Sequence, residues 1–351
     1  MAPKLFLTGA TGYIGGTAHA YIAKAHPDWE ITLLVRSEER AKPIKEAYPN
    51  TKFLYGSLDD ADIVQKAAAE ADIVVHTAES SDHQEGAKNI AKGLAAGHSA
   101  DKPGYWIHTS GTSILTWYDA QNDRHGEAPL PDQKYHDIET VDRLVTLPDA
   151  ADHRVVDKIV QAAISDAVKV AIVCPPTIYG KGSGVVNKRS IQVPDMAKGS
   201  LEKGFAPIVG AGKTEWDNVH IDDLGDLFLK LVDATQDSSK AKDPEIFGPR
   251  AYFFAENGYH KWADVAQWVA EAASKQGYFP EALTKSVSQK EVALMDGVST
   301  ASWGDNSKGV AERARKYLGW SPKGVPLKDT IDEVVGLEAK ALGLTPKEKK
   351  G

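Results

Sequence analysis

Short apolar runs alternate with amphipathic stretches through the first half of the chain. The runs at 4–8, 31–35, 52–55, 72–76 and 105–109 have the β-branched and large apolar content of buried strands. Between them, 13–26, 38–47, 59–69 and 85–96 carry the wider spacing of helices, with Asp59 or Asp60 placed to cap the third. A helix over 155–168 and a sixth strand over 168–174 follow, and Pro175-Pro176 stops that strand. Strands and helices alternating at this interval predict an α/β fold, a doubly wound parallel sheet with crossover helices.

The rhythm breaks twice. Residues 115–152 are rich in Asp, His, Pro and Gln, and predict a long ordered loop or an insertion. A glycine-rich stretch at 180–184 follows the sixth strand, and the strand–helix pattern returns at 219–234. Residues 246–351, with helices carrying Trp262, Trp268, Trp303 and Trp320, read as a smaller lobe. The expected division is a sheet domain over 1–178, with 215–240 returning to it, and a mostly helical substrate lobe from 179–214 and 241–351. No repeat of 20–50 residues interrupts this scheme.

Composition narrows the partners. The chain has 351 residues, and its 41 Lys and Arg against 49 Asp and Glu give a formal charge of −8. That balance opposes a nucleic-acid partner, which needs a basic surface, but leaves room for a small anionic ligand. The single cysteine, Cys174, precludes an intramolecular disulfide and suits a reducing compartment. No apolar run approaches the ~18 residues of a membrane span, and the run at 4–8 is too short for a secretion signal. The charged tail 346–351 reads as frayed. The expectation is a cytoplasmic monomer or homodimer that meets a small-molecule substrate and no membrane. The eleven histidines show no metal-binding spacing, so no metal site is expected.

The strongest motif is Thr8-Gly9-Ala10-Thr11-Gly12-Tyr13-Ile14-Gly15-Gly16, between the first strand and the first helix. In that context Gly9 permits the tight turn, Gly12 lets the backbone approach a pyrophosphate, and Gly15 lets the helix pack close to the sheet. The helix N-terminus offers N–H groups and partial positive charge to phosphates. This predicts a Rossmann dinucleotide site contacted by Gly9, Thr11, Gly12, Tyr13, Ile14 and Gly15. The second strand ends at Arg36, a guanidinium able to pair with a 2′-phosphate and stack on adenine, which favours NADP and leaves NAD possible.

Four segments resemble the short-chain dehydrogenase/reductase superfamily, in its extended or atypical, epimerase/dehydratase-like branch. Thr8–Gly15 is similar to T-G-x-x-G-x-x-G. Ser110-Gly111-Thr112 is similar to the serine-bearing segment after the fifth strand. Cys174-Pro175-Pro176-Thr177-Ile178-Tyr179-Gly180 is similar to R-P-x-x-[IV]-Y-G, with Cys for Arg. Val219-His220-Ile221-Asp222-Asp223-Leu224 is similar to V-H-V-D-D-[LV]. The resemblance covers about 1–235. It implies further cofactor contacts from Ser57, Leu58, Thr77, Ala78, Lys158 (holding the nicotinamide ribose) and Pro175, and substrate contacts from Thr112 and Asn187.

It also implies a catalytic Ser/Thr, Tyr and Lys, the last two spaced Y-x-x-x-K on one helix face. Lys158 stands at the lysine position, but four residues earlier is Arg154. A guanidinium does not exchange protons near neutral pH, although it can polarise a carbonyl. The substitute acid/base candidates are His153, His83, Tyr118 and Tyr135. The expected catalytic set is therefore Ser110, Lys158, and Arg154 or His153. Glu79, Asp82 and His83 are placed either near the nicotinamide ribose or on the rim. Cys174 reads as core, and Tyr179 and His220 as holding the loop and strand. The leading reading is an NADP(H)-binding oxidoreductase acting on a small carbonyl or alcohol. The alternatives are a non-catalytic dinucleotide sensor and a sugar-nucleotide epimerase or dehydratase.

Overall fold

The structure is a computed structural model that describes residues 2–295 and 302–346. The tail beyond 346, expected to be frayed, lies outside the described residues. Strands β1 (Lys4–Thr8), β2 (Glu30–Val35), β3 (Lys52–Tyr55), β4 (Ile73–His76) and β5 (Gly104–Thr109) alternate with helices α1 (Tyr13–Ala25), α2 (Glu38–Ala47), α3 (Ala61–Glu70) and α4 (Gln84–Gly97). The helix starts have visible causes. Ser37 Oγ accepts from Arg40 N at the start of α2, and the His83 ring accepts from Gly86 N at the start of α4. There follow α5 (Trp117–Gln121), β6 (Lys134–His136), α6 (Val141–Leu144), α7 (Arg154–Ala162), β7 (Val168–Cys174), β8 (Thr177–Tyr179), α8 (Gln192–Lys203), β9 (Ala206–Val209), β10 (Glu215–His220) and α9 (Ile221–Ala234). The chain closes with β11 (Tyr252–Phe254), β12 (Tyr259–Lys261), α10 (Trp262–Lys275), β13 (Thr284–Val287), α11 (Gln289–Ala293), β14 (Lys308–Val310), α12 (Arg313–Leu318) and α13 (Leu327–Ala341).

The central sheet has seven strands in the order β11-β7-β5-β4-β1-β2-β3, and all its pairings are parallel. All four residues of β4 are buried, as expected of a strand covered by helices on both faces. The strand order reverses between β1 and β4, and the crevice at their carboxyl ends is where open α/β sheets take their ligands. The six strands expected from the apolar runs are present. The seventh, β11, pairs with β7 although it lies within the stretch expected to build the second lobe. Three aromatic-rich residues are too short a run to separate from the core segments around them. The helix expected over 155–168 stops at Ala162, and residues 163–167 make the turn into β7.

Two apolar cores form. One surrounds the sheet; the other packs α8, α10 and α13 around Trp216, Trp262 and Trp303. Trp320 follows α12, joins the sheet core, and donates from Nε1 to Asp223 O. The segment 115–152 is ordered, and buried carboxylates hold it. Asp119, fully buried, accepts from Arg124 Nε, Gln133 Nε2 and both the backbone and side-chain N–H of Asn306. Asp137, also fully buried, accepts from the backbone N–H groups of Phe254, Glu312 and Arg313, while β6 pairs with β14. The insertion is thus a clasp that ties the chain after β5 to residues 305–313.

Candidate active site

The nucleotide end starts at the glycine turn. Gly9 has φ +88°, a left-handed conformation favoured by glycine, and Gly12 N donates back to Gly9 O. A Cβ on Gly15 would lie 2.2 Å from Thr77 Oγ1 and 2.3 Å from Gly9 O, so helix, turn and β4 meet there only without a side chain. Thr77 holds the junction by donating from Oγ1 to Thr8 O. A cleft of about 520 Å³ runs from Gly9, Thr11 and Gly12 past Thr77 and Ala78 to Arg36, Arg40, Ser57 and Leu58. Its mouth is bridged by Arg36, which donates from Nη2 to Glu79 Oε1 at 2.7 Å, both side chains being exposed. Ser57 lines this cleft, where its N–H and its hydroxyl both donate to Asp60 Oδ2. His83 sits at this end, capping α4, so it does not supply an acid at the other.

A second cavity of about 530 Å³ shares Gly9, Gly12 and Thr77 with the first. The two form one groove across the ends of β1 and β4. The second cavity is walled by Tyr13, Ile14, Pro175, Pro176, Ile178, Ile191 and Trp216, with Thr112 and Asn187 also on the wall. Tyr13 donates to Gly180 O, while Asn187 Oδ1 accepts from Arg189 N. The only charged or titrating polar side chains on this wall, among the described residues, are Asp82 and His153, apart from the Tyr13 phenol.

Those two residues join Ser113. His153 Nδ1 lies 2.8 Å from Asp82 Oδ1, and Nε2 lies 2.5 Å from Ser113 Oγ. Asp82 accepts, so Nδ1 carries the proton and neutral Nε2 accepts from the Ser113 hydroxyl. His153 caps α7 at φ +65°, where a residue with a Cβ is strained by roughly 1–2 kcal/mol. Burial opposes protonation of the imidazole, but the Asp82 hydrogen bond and the charges of Asp82, Asp152 and Asp157 outweigh it and raise the pKa. The same hydrogen bond holds the Asp82 carboxyl below its usual range.

The expected catalytic set needs correction at three residues. Lys158 turns to solvent and pairs with Asp149 at 2.8 Å, away from the cavity wall. Arg154 is buried, but its guanidinium donates to Val145 O, Leu147 O and Gln161 Oε1, fastening the end of the clasp. Ser110 is buried behind the wall and donates to Asp157 Oδ2. At the start of α7 the residue that reaches the cavity is the N-cap His153; Asp157, four residues on, is buried behind the wall with Ser110. Burial pushes the Asp157 carboxyl up to about 6, against hydrogen bonds from Tyr252 and Ser110. Tyr135 is a buried core ring under the Arg143 guanidinium, and Tyr118 packs edge-on against Trp117; neither lines the cavity. The sequence does hold one Tyr-x-x-x-Lys spacing, Tyr48 to Lys52, but it spans the turn from α2 into β3 and shares no helix face. Ser113 was missed because Thr109, Ser110, Thr112 and Ser113 are all hydroxyl residues in one turn, and only geometry selects among them.

Cys174 is fully buried, where desolvation pushes its thiol up. Tyr179 donates to Val325 O and packs edge-on against His220. Among the described residues no group of three or more His, Cys, Asp or Glu side chains is placed to hold a metal ion, and no helix is long and apolar enough to cross a membrane.

The family profile described as NAD(P)H-binding matches residues 9–100, the segment that builds the first cleft. The chain is 35% identical over 356 aligned positions to "Oxidase ucsJ" of Acremonium sp, covering 98% of this chain and 100% of that one. The dTDP-glucose 4,6-dehydratase of Bacillus anthracis, solved in complex with NAD, superposes with a TM-score of 0.65 at 14% identity, over 97% of each chain. The terminal R domain of the myxalamid PKS-NRPS pathway superposes with a TM-score of 0.65 at 17% identity, over 99% of this chain and 93% of that domain. The glycine turn, the reversal between β1 and β4, and these full-length likenesses agree: the chain has a Rossmann fold with an NAD(P)H-binding segment, and it belongs to the family of Oxidase ucsJ.

Proposed function

We propose that the protein is an NADP(H)-dependent oxidoreductase that interconverts a small, uncharged carbonyl compound and its alcohol, with His153 as acid/base. The observation that carries this reading is the Ser113–His153–Asp82 chain, in the cavity continuous with the dinucleotide cleft. The residues fit the cofactor: the Gly9–Gly15 turn leaves a cradle that a Cβ would fill, and the groove joins it to Arg36 and Arg40. Backbone N–H groups at the start of α1 would hold the pyrophosphate, and Arg36 and Arg40 a 2′-phosphate. The bound nicotinamide supplies or accepts hydride.

The chain's own residues then handle the proton. With His153 protonated, its Nε2–H donates toward Ser113, whose hydroxyl passes a proton to the substrate oxygen; in the alcohol direction the transfer reverses. Asp82 fixes the imidazole tautomer and stabilises the imidazolium. Thr112 Oγ1, buried on the same wall without a partner, can donate a second hydrogen bond to that oxygen. The apolar wall of Ile178, Ile191 and Trp216 supports an uncharged substrate, and no Lys or Arg among the described residues lines it to neutralise a sugar-nucleotide diphosphate. The name of the oxidase relative also supports redox chemistry.

The test is NADPH consumption with a panel of apolar ketones and aldehydes, run beside NADH. Turnover with NADPH, lost in His153→Asn, supports the reading. Tight nucleotide binding with no turnover on any substrate counts against it and favours the sensor alternative.

A further inference from the structure

The order Ser113 Oγ to His153 Nε2 and His153 Nδ1 to Asp82 Oδ1, at 2.5 and 2.8 Å, is the order of a nucleophilic relay. Proton donation to a carbonyl uses the imidazole as an acid; the relay also makes Ser113 a nucleophile whenever the imidazole is neutral. Three further observations bear on this. Ser113 lies on the cavity wall, so a ligand reaches it. Thr112 beside it is 96% buried and contributes to the same cavity wall, and its buried hydroxyl has no hydrogen-bond partner. The wall around them is apolar, with Asp82 its only carboxylate among the described residues.

We propose that Ser113, His153 and Asp82 give this protein a second, nucleotide-independent activity: hydrolysis of short, uncharged carboxylic esters through a Ser113 acyl-enzyme. In the first half, Ser113 Oγ bonds to the acyl carbon while His153 Nε2 takes its proton. The ester C–O bond breaks, and the leaving oxygen takes that proton as an alcohol. In the second half, water gives a proton to Nε2 and its oxygen to the acyl carbon; the bond to Ser113 breaks, and Oγ is reprotonated. One ester and one water become one acid and one alcohol, with no change of oxidation state. Thr112 Oγ1 donates to the carbonyl oxygen as its negative charge builds.

The experiment uses the full chain without nucleotide, with p-nitrophenyl butyrate as substrate and a fluorophosphonate as covalent probe, followed by peptide mass spectrometry. The expected result is a phosphonyl adduct on Ser113 and steady hydrolysis. Ser113→Ala should abolish the adduct and cut hydrolysis about 100-fold or more. His153→Asn should do the same to hydrolysis, since Asn tolerates the positive φ at that position. Lys158→Ala, remote from the cavity, should change neither. Absence of a Ser113 adduct on folded protein, or wild-type hydrolysis by Ser113→Ala, overturns the inference. NADPH turnover measured on the same samples separates the two readings. Turnover without labelling removes the esterase alone, and labelling without turnover supports the esterase while removing the oxidoreductase.

Discussion

At the scale of single residues, the proposed chemistry turns on His153. Its imidazole faces Asp82 from the β4–α4 loop, the neighbouring Asp152, Asp157 on its own helix, His108 on β5, and the Ser113 hydroxyl. The net effect raises its pKa above the ordinary ~6.5. Carbonyl reduction needs the imidazolium and so should fall as pH rises through that raised value; alcohol oxidation needs the neutral ring and should rise over the same range. Asp82→Asn removes the largest raising contribution, and should move both limbs to lower pH in a kcat–pH profile and lower kcat by about 10²–10⁴-fold. Limbs that stay in place in that variant would assign the titration to another group. The sequence made His153 visible as a candidate, but it could not reveal that the backbone there turns to φ +65° and aims the ring at Ser113.

At the scale of elements, α7 carries a buried polar face that the sequence pattern disguised. Asp157 is fully buried, lies 3.8 Å from the His108 ring and accepts from Ser110 and Tyr252, which ties α7 to the end of β5 and to β11. Its folded pKa, about 6, stands above the unfolded ~3.9. Its stabilising contribution is therefore complete below the unfolded value and lost as pH rises through about 6. Asp157→Asn should accordingly gain stability relative to wild type between pH 5 and pH 8, on the order of 1–3 kcal/mol, read as a Tm difference that grows with pH. An equal difference at both pH values would refute the buried-acid account. The main βα elements were legible because the strands are continuous apolar runs with glycine or charged turns between them. The clasp was not, since Asp119 and Asp137 look like surface loop residues until Asn306 and the Arg313 backbone meet them from the other end of the chain. Arg313→Ala removes a fully buried guanidinium that donates to Asp137 O and Glu245, and should destabilise by about 3–5 kcal/mol in denaturant unfolding.

At the scale of the whole molecule, two populations of buried titrating groups oppose each other. His19, His76, His108 and His260 are buried with pKa values pushed down, to about 4, 3, well below the usual range, and about 3 respectively. Their contribution is present above ~6.5 and lost as pH falls toward the folded values. Asp137, Asp157, Asp217 and Asp305 are buried with pKa values pushed up to about 6, 6, 8 and 6, and theirs is lost as pH rises. Thermal stability should therefore peak between about pH 6 and 7 and fall on both sides, which a Tm series from pH 4 to 9 checks. Charge also divides the groove: Arg36 and Arg40 stand at the nucleotide end, while the second cavity has no Lys or Arg among its described lining residues.

The central claim is that proton transfer runs through His153 and not through Lys158. The most direct measurement compares kcat for NADPH-dependent reduction in His153→Asn and Lys158→Ala, with nucleotide Kd measured on both. The expected result is a loss of at least about 100-fold in His153→Asn with NADPH affinity within about threefold of wild type, and a change under about twofold in Lys158→Ala. Near-wild-type turnover by His153→Asn, or a collapse of turnover in Lys158→Ala, would contradict it.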